Sequence, residues 1–539
     1  MNRREFLHTA ALLAGGSRLL AGEAPRNKAP FRILYSNDAT NVLSCTSPWH
    51  AKGAAFRPSM LEASIDEVAG IGVDAHFLQP GLGWVPLWPS KVYPVEEHYS
   101  WMKKTYGLEP DSLGRFVLGG GDLVKVFVDR CRQRGQAPFI SFRLNDVHHK
   151  DQAFLQPGEM IAGAAAMSLT RFYIEHPEYR IGTETKAAQI VQNWAIPEVR
   201  AHKFAFLREL AENYDIDGLE LDFMRYYSLF PLDRTTSEQR TGTMTEFIRD
   251  VGALLDRTAR EGRRRWLCAR VPCWLKGHDP LGIDLPAMVR AGLDMVNVSA
   301  SYFTTQHSDF ASIRRLVPET AVYDELCHAT WTGPKLGPGG DTSTFRRTTA
   351  EQYQTTAHLT YSRGGDGVSL FNFAYYREHG APGRGPFGEP PFEVIKKLAN
   401  REWLAKQPQH WFLAPGWDNP FTRPAHLPRK LASGQRTVFT FDLAPPASGW
   451  KKDARLRVQT SQPMTGKPLA AKFNDTTLAS SEDVSEPFPN PYPAMLGTAE
   501  TLAAWVVPLA TLRDGMNRVE FTNASGEGVE LAYLDLTAE

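Results

Sequence analysis

Residues 215–227 read DIDGLELDFMRYY, and two of their acids, Glu220 and Asp222, stand two positions apart among Leu219, Leu221 and Phe223. A period of two is the period of a β-strand, so the acids share one face and the apolar residues the other. A buried charge costs several kcal/mol unless it is paired. These two acids therefore ask for cations, for a ligand, or for a bond to act on.

Other β-like runs close on polar residues in the same way. The first ends in Asn37 and Asp38, and the second runs into a loop carrying Trp84 and Trp88. The third closes as RLNDVHH, which supplies Arg143, Asn145, Asp146, His148 and His149. Arg270, then Asn297, Ser299 and Tyr302, then Asp324, Glu325 and His328, then Asn372, Tyr375 and Tyr376 close the later runs. Two carboxyl groups flanking one bond are the equipment of glycosidic hydrolysis, one protonating the leaving oxygen and the other attacking or activating water. Asp222 supplies one, and either Glu325 or Asp146 supplies the second. Arg143, Asn145, His148, Arg225, Arg270, Tyr302 and Asn372 are expected to hold hydroxyls or orient the acids, with Trp84 as a stacking surface. Glu220 is expected one layer below Asp222, neutralised by Arg143 or Arg270.

The NDVHH cluster raises a metal as the competing role. No His-x-His follows the first run, and no second group of histidines and carboxylates stands at the later run ends, so no catalytic metal and no cofactor is expected. A structural calcium stays open.

The elements that must position these residues follow from periodicity. Strand-like segments cover 31–36, 74–79, 137–144, 217–223, 266–271, 294–300, 320–326 and 366–373. Between them lie amphipathic helical stretches, several ending in Gly. Such alternation predicts an α/β chain, a (β/α)8 barrel over residues 31–405, with its reactive groups at the C-terminal strand ends. A doubly wound sheet is the alternative, but no strand leads into a glycine-rich phosphate loop. From 425 to 539 short alternating runs between Pro, Gly, Ser and Asn predict a β-sandwich domain.

Lys plus Arg and Asp plus Glu both number 60 in the 539 residues, so net charge offers no pull toward nucleic acid or an anionic membrane. A neutral or mixed-charge substrate fits better. Arg3 and Arg4 precede Phe6 and Leu7 and a weakly apolar run into small residues, the pattern of a twin-arginine signal over 1–24, with a periplasmic or secreted product and no membrane span. Five scattered cysteines leave at least one thiol unpaired in a monomer, and the oligomeric state is not legible.

The 35-residue string NWAIPEVRAHKFAFLRELAENYDIDGLELDFMRYY resembles a segment of glycoside-hydrolase-like (β/α)8 barrels related to the family-ten xylanase-like barrels. The matching positions are Pro197, Glu198, Val199, Arg200, Tyr214, Asp217, Gly218, Asp222, Arg225 and Tyr226. The resemblance implies that Asp222 is the strand-four carboxylate of that family and that Arg225 supports it or touches substrate. Two departures stand out. The Asn-Glu pair of the family-ten xylanases is absent, and the acid of the related chitinase-type motif falls on Met224. The expectation is an exported glycoside hydrolase acting on a poly- or oligosaccharide. The alternatives are a carbohydrate-binding protein on a degenerate barrel and a metal-dependent hydrolase.

Overall fold

The computed structural model describes residues 28–38, 40–155, 159–182, 188–331, 345–379, 387–415, 427–464, 468–490 and 498–539. The expected export signal at 1–24 lies outside them. Eight parallel strands close into a barrel: β1 (Ile33–Asn37), β2 (Ala75–Leu78), β3 (Ala137–Arg143), β4 (Gly218–Asp222), β5 (Trp266–Pro272), β6 (Met295–Ser299), β7 (Ala321–Cys327) and β8 (Gly367–Phe371). Consecutive strands are neighbours, and β8 pairs with β1. All eight lie within two residues of their expected bounds.

The helices between them form for local reasons. Thr236 caps the helix Ser237–Arg257 through a reciprocal pair with Gln239. Pro197 opens the helix Pro197–Asn213 at the position where its missing N–H costs nothing. Both bury an apolar stripe against the outside of the sheet, where Leu219 and Leu221 of β4 are 0% exposed.

Register stacks the inward side chains in levels. Ser141, Glu220 and Cys268 are level with one another, and one step toward the strand ends Arg143, Asp222, Arg270 and Asn297 are level. Toward the closed end, Phe77 and Phe139 stack at 4.6 Å and share one apolar cluster with Cys268, Met295 and Tyr323, which forms the floor. Gly218 stands in that floor with no room for a Cβ, which would run into the Phe139 ring and the Trp266 carbonyl. The remaining acids of the opening motif serve the opposite end of the barrel. Asp217 binds Arg132 at 2.6 Å and Asp215 binds Arg263 at 2.8 Å.

The C-terminal residues build two antiparallel sheets around a separate apolar core. Gln409–Leu413 already pairs with Val529–Ala538, so the β unit begins before residue 425. It docks on the helix Ala350–Ser362 through Gln352 Nε2, which donates to the Tyr533 hydroxyl at 2.9 Å, and through Arg363, which grips Asp442 and Asp514. Inside the unit Arg457 holds Asp535 at 2.6 Å, with both side chains buried. None of the five cysteines forms a disulfide, and all are buried. Among the described residues no helix is long and apolar enough to cross a membrane.

Overpacking a closed core costs about 1–3 kcal/mol or more. Gly218→Ala should lower the urea unfolding midpoint accordingly; an unchanged midpoint would show that β3, β4 and β5 spread freely.

Candidate active site

Two arginines inside the barrel organise its open end. Arg143, 1% exposed, reaches three groups: Asp38 Oδ1 at 3.0 Å, Asp146 Oδ2 at 2.7 Å and the Gln79 amide oxygen. Arg270, 2% exposed, clasps Glu325 with Nε at 2.6 Å and Nη2 at 2.7 Å, and its Nη1 contacts both oxygens of Asp222 at 3.2 Å. Each guanidinium bridges a pair of carboxylates. Since its nitrogens lie in one rigid plane, the bridged oxygens stand within about 8 Å of each other in both pairs.

The two pairs differ in access. A cavity of about 310 Å³ opens at the mouth, and its lining includes Asp38, Asp111, Arg143, His148, Tyr302 and Tyr375. Asp222 and Glu325 do not line it. Asp222 is 0% exposed, because the chain turns over it after Phe223 and the Met224 N–H donates to its Oδ1 at 2.7 Å. The carboxylate expected at the mouth is therefore a level below it, and the carboxylate at the mouth is Asp38.

Asp38 is the most heavily bonded acid of the site. Arg225 Nη1 lies 3.0 Å from its Oδ1, the oxygen that Arg143 also reaches. The Tyr302 and Tyr375 hydroxyls donate to its Oδ2 at 3.1 and 3.2 Å, and the Asn372 amide donates at 3.0 Å. Burial alone would raise this carboxyl, but Arg225, Arg143 and the Asn372 amide outweigh it and hold it down at about 2. Asp146 is buried too, and the facing His148 and Arg143 keep it well below the usual carboxylate range. An ionised carboxylate only accepts, so His148 Nδ1–H donates to Asp146 Oδ1 at 2.8 Å. The His148 side chain is 43% exposed at the cavity, and its Nε2 makes no hydrogen bond among the described residues.

The other expected residues divide. Arg225 and Tyr302 do meet at the mouth, joined at 2.7 Å. Asn372, with a left-handed φ of 61°, is fully buried and fixes Asp38 by also accepting its backbone N–H. Asn145 turns away from the cavity, its amide donating to the Gln192 and Ser228 carbonyls and tying two loops together. Trp84 is buried against Phe142 with Lys203 Nζ over its ring, so it offers no face to a sugar. Among the described residues Glu220 has no arginine at ion-pair distance; it accepts from Ser141 Oγ at 2.7 Å and Asn297 Nδ2 at 3.2 Å. His149 is held by Ser168, and among the described residues no three His, Cys, Asp or Glu side chains gather as metal ligands. Asp38 and Tyr375 stood out in the sequence only as polar strand ends; Asp38 continues the inward period of Leu34 and Ser36, which was the available signal.

Two outcomes follow. Arg270→Met leaves Asp222 and Glu325 buried without their shared cation, and should cost about 3–5 kcal/mol in chemical unfolding; a neutral result would mean that water reaches both acids. Asp38 has a folded pKa below its unfolded value of 3.8, so its stabilisation is present above that pH and lost as pH falls through about 2. Asp38→Asn should be less stable than wild type at neutral pH by about 2 kcal/mol, with the gap closing toward pH 2; a constant gap would contradict the ion pairing.

No protein-family model matches the chain, and no curated protein matches it. Among solved structures it is similar to the PgaB (BpsB) glycoside hydrolase domain from Bordetella bronchiseptica, at 12% identity over 68% of this chain and 98% of that one, with a TM-score of 0.39. It is similar to the GH20 β-N-acetylhexosaminidase from Streptomyces coelicolor A3(2), at 12% identity over 65% of this chain and 60% of that one, TM-score 0.35. It is also similar to a chitinase from Chromobacterium violaceum, at 10% identity over 68% of this chain and 99% of that one, TM-score 0.34. Likenesses this distant leave the reaction to the geometry of the mouth.

Proposed function

We propose that the chain is a glycoside hydrolase that takes a neutral sugar unit of a poly- or oligosaccharide into the 310 Å³ mouth cavity. The observation that carries the reading is the pairing, on one cavity, of an ionised carboxylate, Asp38, with a carboxylate-held imidazole, His148. Asp38 is the negative group that meets the developing positive charge at the anomeric carbon. His148, oriented by Asp146, is the group that hands a proton to the leaving oxygen and takes one from water. The Tyr302 and Tyr375 hydroxyls hold Asp38 toward the cavity.

Charge supports a neutral substrate. At the mouth Arg143 and Arg225 are matched by Asp38 and Asp146, so neither arginine is left over for a phosphate or a carboxylate. The strand-four resemblance points to the same reaction class, and the twin-arginine pattern of residues 1–24 supports action outside the cytoplasm. Asp222, Arg270 and Glu325 are the support beneath. One observation favours a second reading, a carbohydrate-binding protein: the two acids first expected to face each other across a cleft are locked on one arginine.

Release of sugar from a panel of polysaccharides and aryl glycosides separates these. Wild type should hydrolyse at least one member, with Asp38→Asn and His148→Ala each lowering kcat/KM by about 100-fold or more. Binding without any hydrolysis gives the second reading. Activity that survives Asp38→Asn but not Asp222→Asn moves the chemistry one level deeper.

A further inference from the structure

The lower level of the barrel interior does not balance its charge. Asp222 and Glu325 share Arg270, and Glu220, 2% exposed, adds a third carboxyl to the same closed space. Asn297 Nδ2 donates to Glu220 Oε2 at 3.2 Å and to Glu325 Oε2 at 3.4 Å, so one amide spans two acids. The groups facing Glu220 come from five strands. Ser141 on β3 donates at 2.7 Å, Asp222 lies beyond it on β4, and β5 brings the Cys268 thiol at 3.6 Å with Arg270 above. Asn297 stands on β6 and Glu325 on β7, while the Tyr323 hydroxyl of β7 turns away to the Phe31 carbonyl at 3.0 Å. Among the described residues no cation forms an ion pair with Glu220, although the charge of Arg270 is felt there.

One guanidinium cannot offset three buried carboxylates, and each unpaired buried charge costs several kcal/mol. The level is relieved when one acid takes a proton, and the acid without a cationic contact is the one to take it. We propose that Glu220 holds its proton through mildly acid pH and gives it up only as the pH rises through neutrality, leaving Asp222, Arg270 and Glu325 as the ionised part of this level. Burial, and then the charge of Asp222, push its carboxyl up to about 7 against the pull of Arg270 and Ser141. The inference stands on the packing of the acids, whether or not a sugar is cleaved above them.

A carboxyl whose folded pKa exceeds its unfolded value binds more protons folded than unfolded, so stability falls as pH rises between the two values. The window here runs from 4.5 to about 7. Thermal unfolding of the full chain across that window tests it. Glu220→Gln, a neutral isostere, should gain on wild type as pH climbs from 4.5 to about 7, and the difference in midpoint should then stay constant. A difference independent of pH, or one that moves against the Gln variant in alkali, overturns the proposal. An independent readout is the infrared band of a protonated carboxylic acid in the difference between wild type and Glu220→Gln, which separates Glu220 from the buried Asp324 carboxyl, also pushed up to about 7; it should be present in mildly acid solution and lost in alkali. In Ser141→Ala, where a bond to the ionised form is gone, the band should persist to higher pH than in wild type. A band that disappears at the same or lower pH in that variant, or no band in the difference between wild type and Glu220→Gln, counts equally against it.

Discussion

An arginine buried inside a barrel has to be met by carboxylates, and the two at this mouth, Arg143 and Arg270, fix where its acids stand. Each is at most 2% exposed, and each bridges two acids drawn from different strands and loops. Their register explains the order. Arg143, Asp222 and Arg270 are direct neighbours on β3, β4 and β5, a row that alternates in sign across the sheet. The cost of desolvating so many charges is offset only when every one finds a partner at hydrogen-bond distance. Asp38 and Asp146, just past the ends of β1 and β3, are therefore tied to the barrel wall through Arg143.

That constraint divides the interior into two levels with different duties. In the upper one, open to the cavity and rich in hydroxyls and an imidazole, each arginine is matched by an acid, which supports the proposal of a neutral substrate. The lower one is closed and holds more acid than cation. Beneath it the aromatic floor built around Phe77, Phe139 and the glycine at 218 keeps water out. The C-terminal sheets clamp the helix between β7 and β8, which steadies the strand that brings Glu325 to Arg270.

How much of this the sequence discloses depends on how local the cause is. Period-two alternation and helix ends are local, and they placed all eight barrel strands within two residues and aimed Glu220 and Asp222 inward. Depth is not local. Asp222 is hidden because the backbone at Met224 folds over it, and no spacing rule anticipates that turn. Trp84 has a positive φ of 79°, which aims its ring at Phe142 instead of the cavity. The role of Asp38 is the least local of all, since its fixing partner Asn372 is 334 positions away and meets it only because β8 closes on β1. An arginine partner for Glu220 was a sound inference from charge, but Arg270 was already taken by two other acids.

The central claim is that ligand meets Asp38 at the mouth while Asp222, Arg270 and Glu325 remain a sealed base. A crystal structure of the protein soaked with a sugar from its best substrate tests this most directly. The account predicts a sugar ring in the mouth cavity, in contact with Asp38, Tyr302, Tyr375 and His148, above an unbroken Arg270 bridge. A ring bonded to Asp222, with Arg270 swung away from it, would contradict the account.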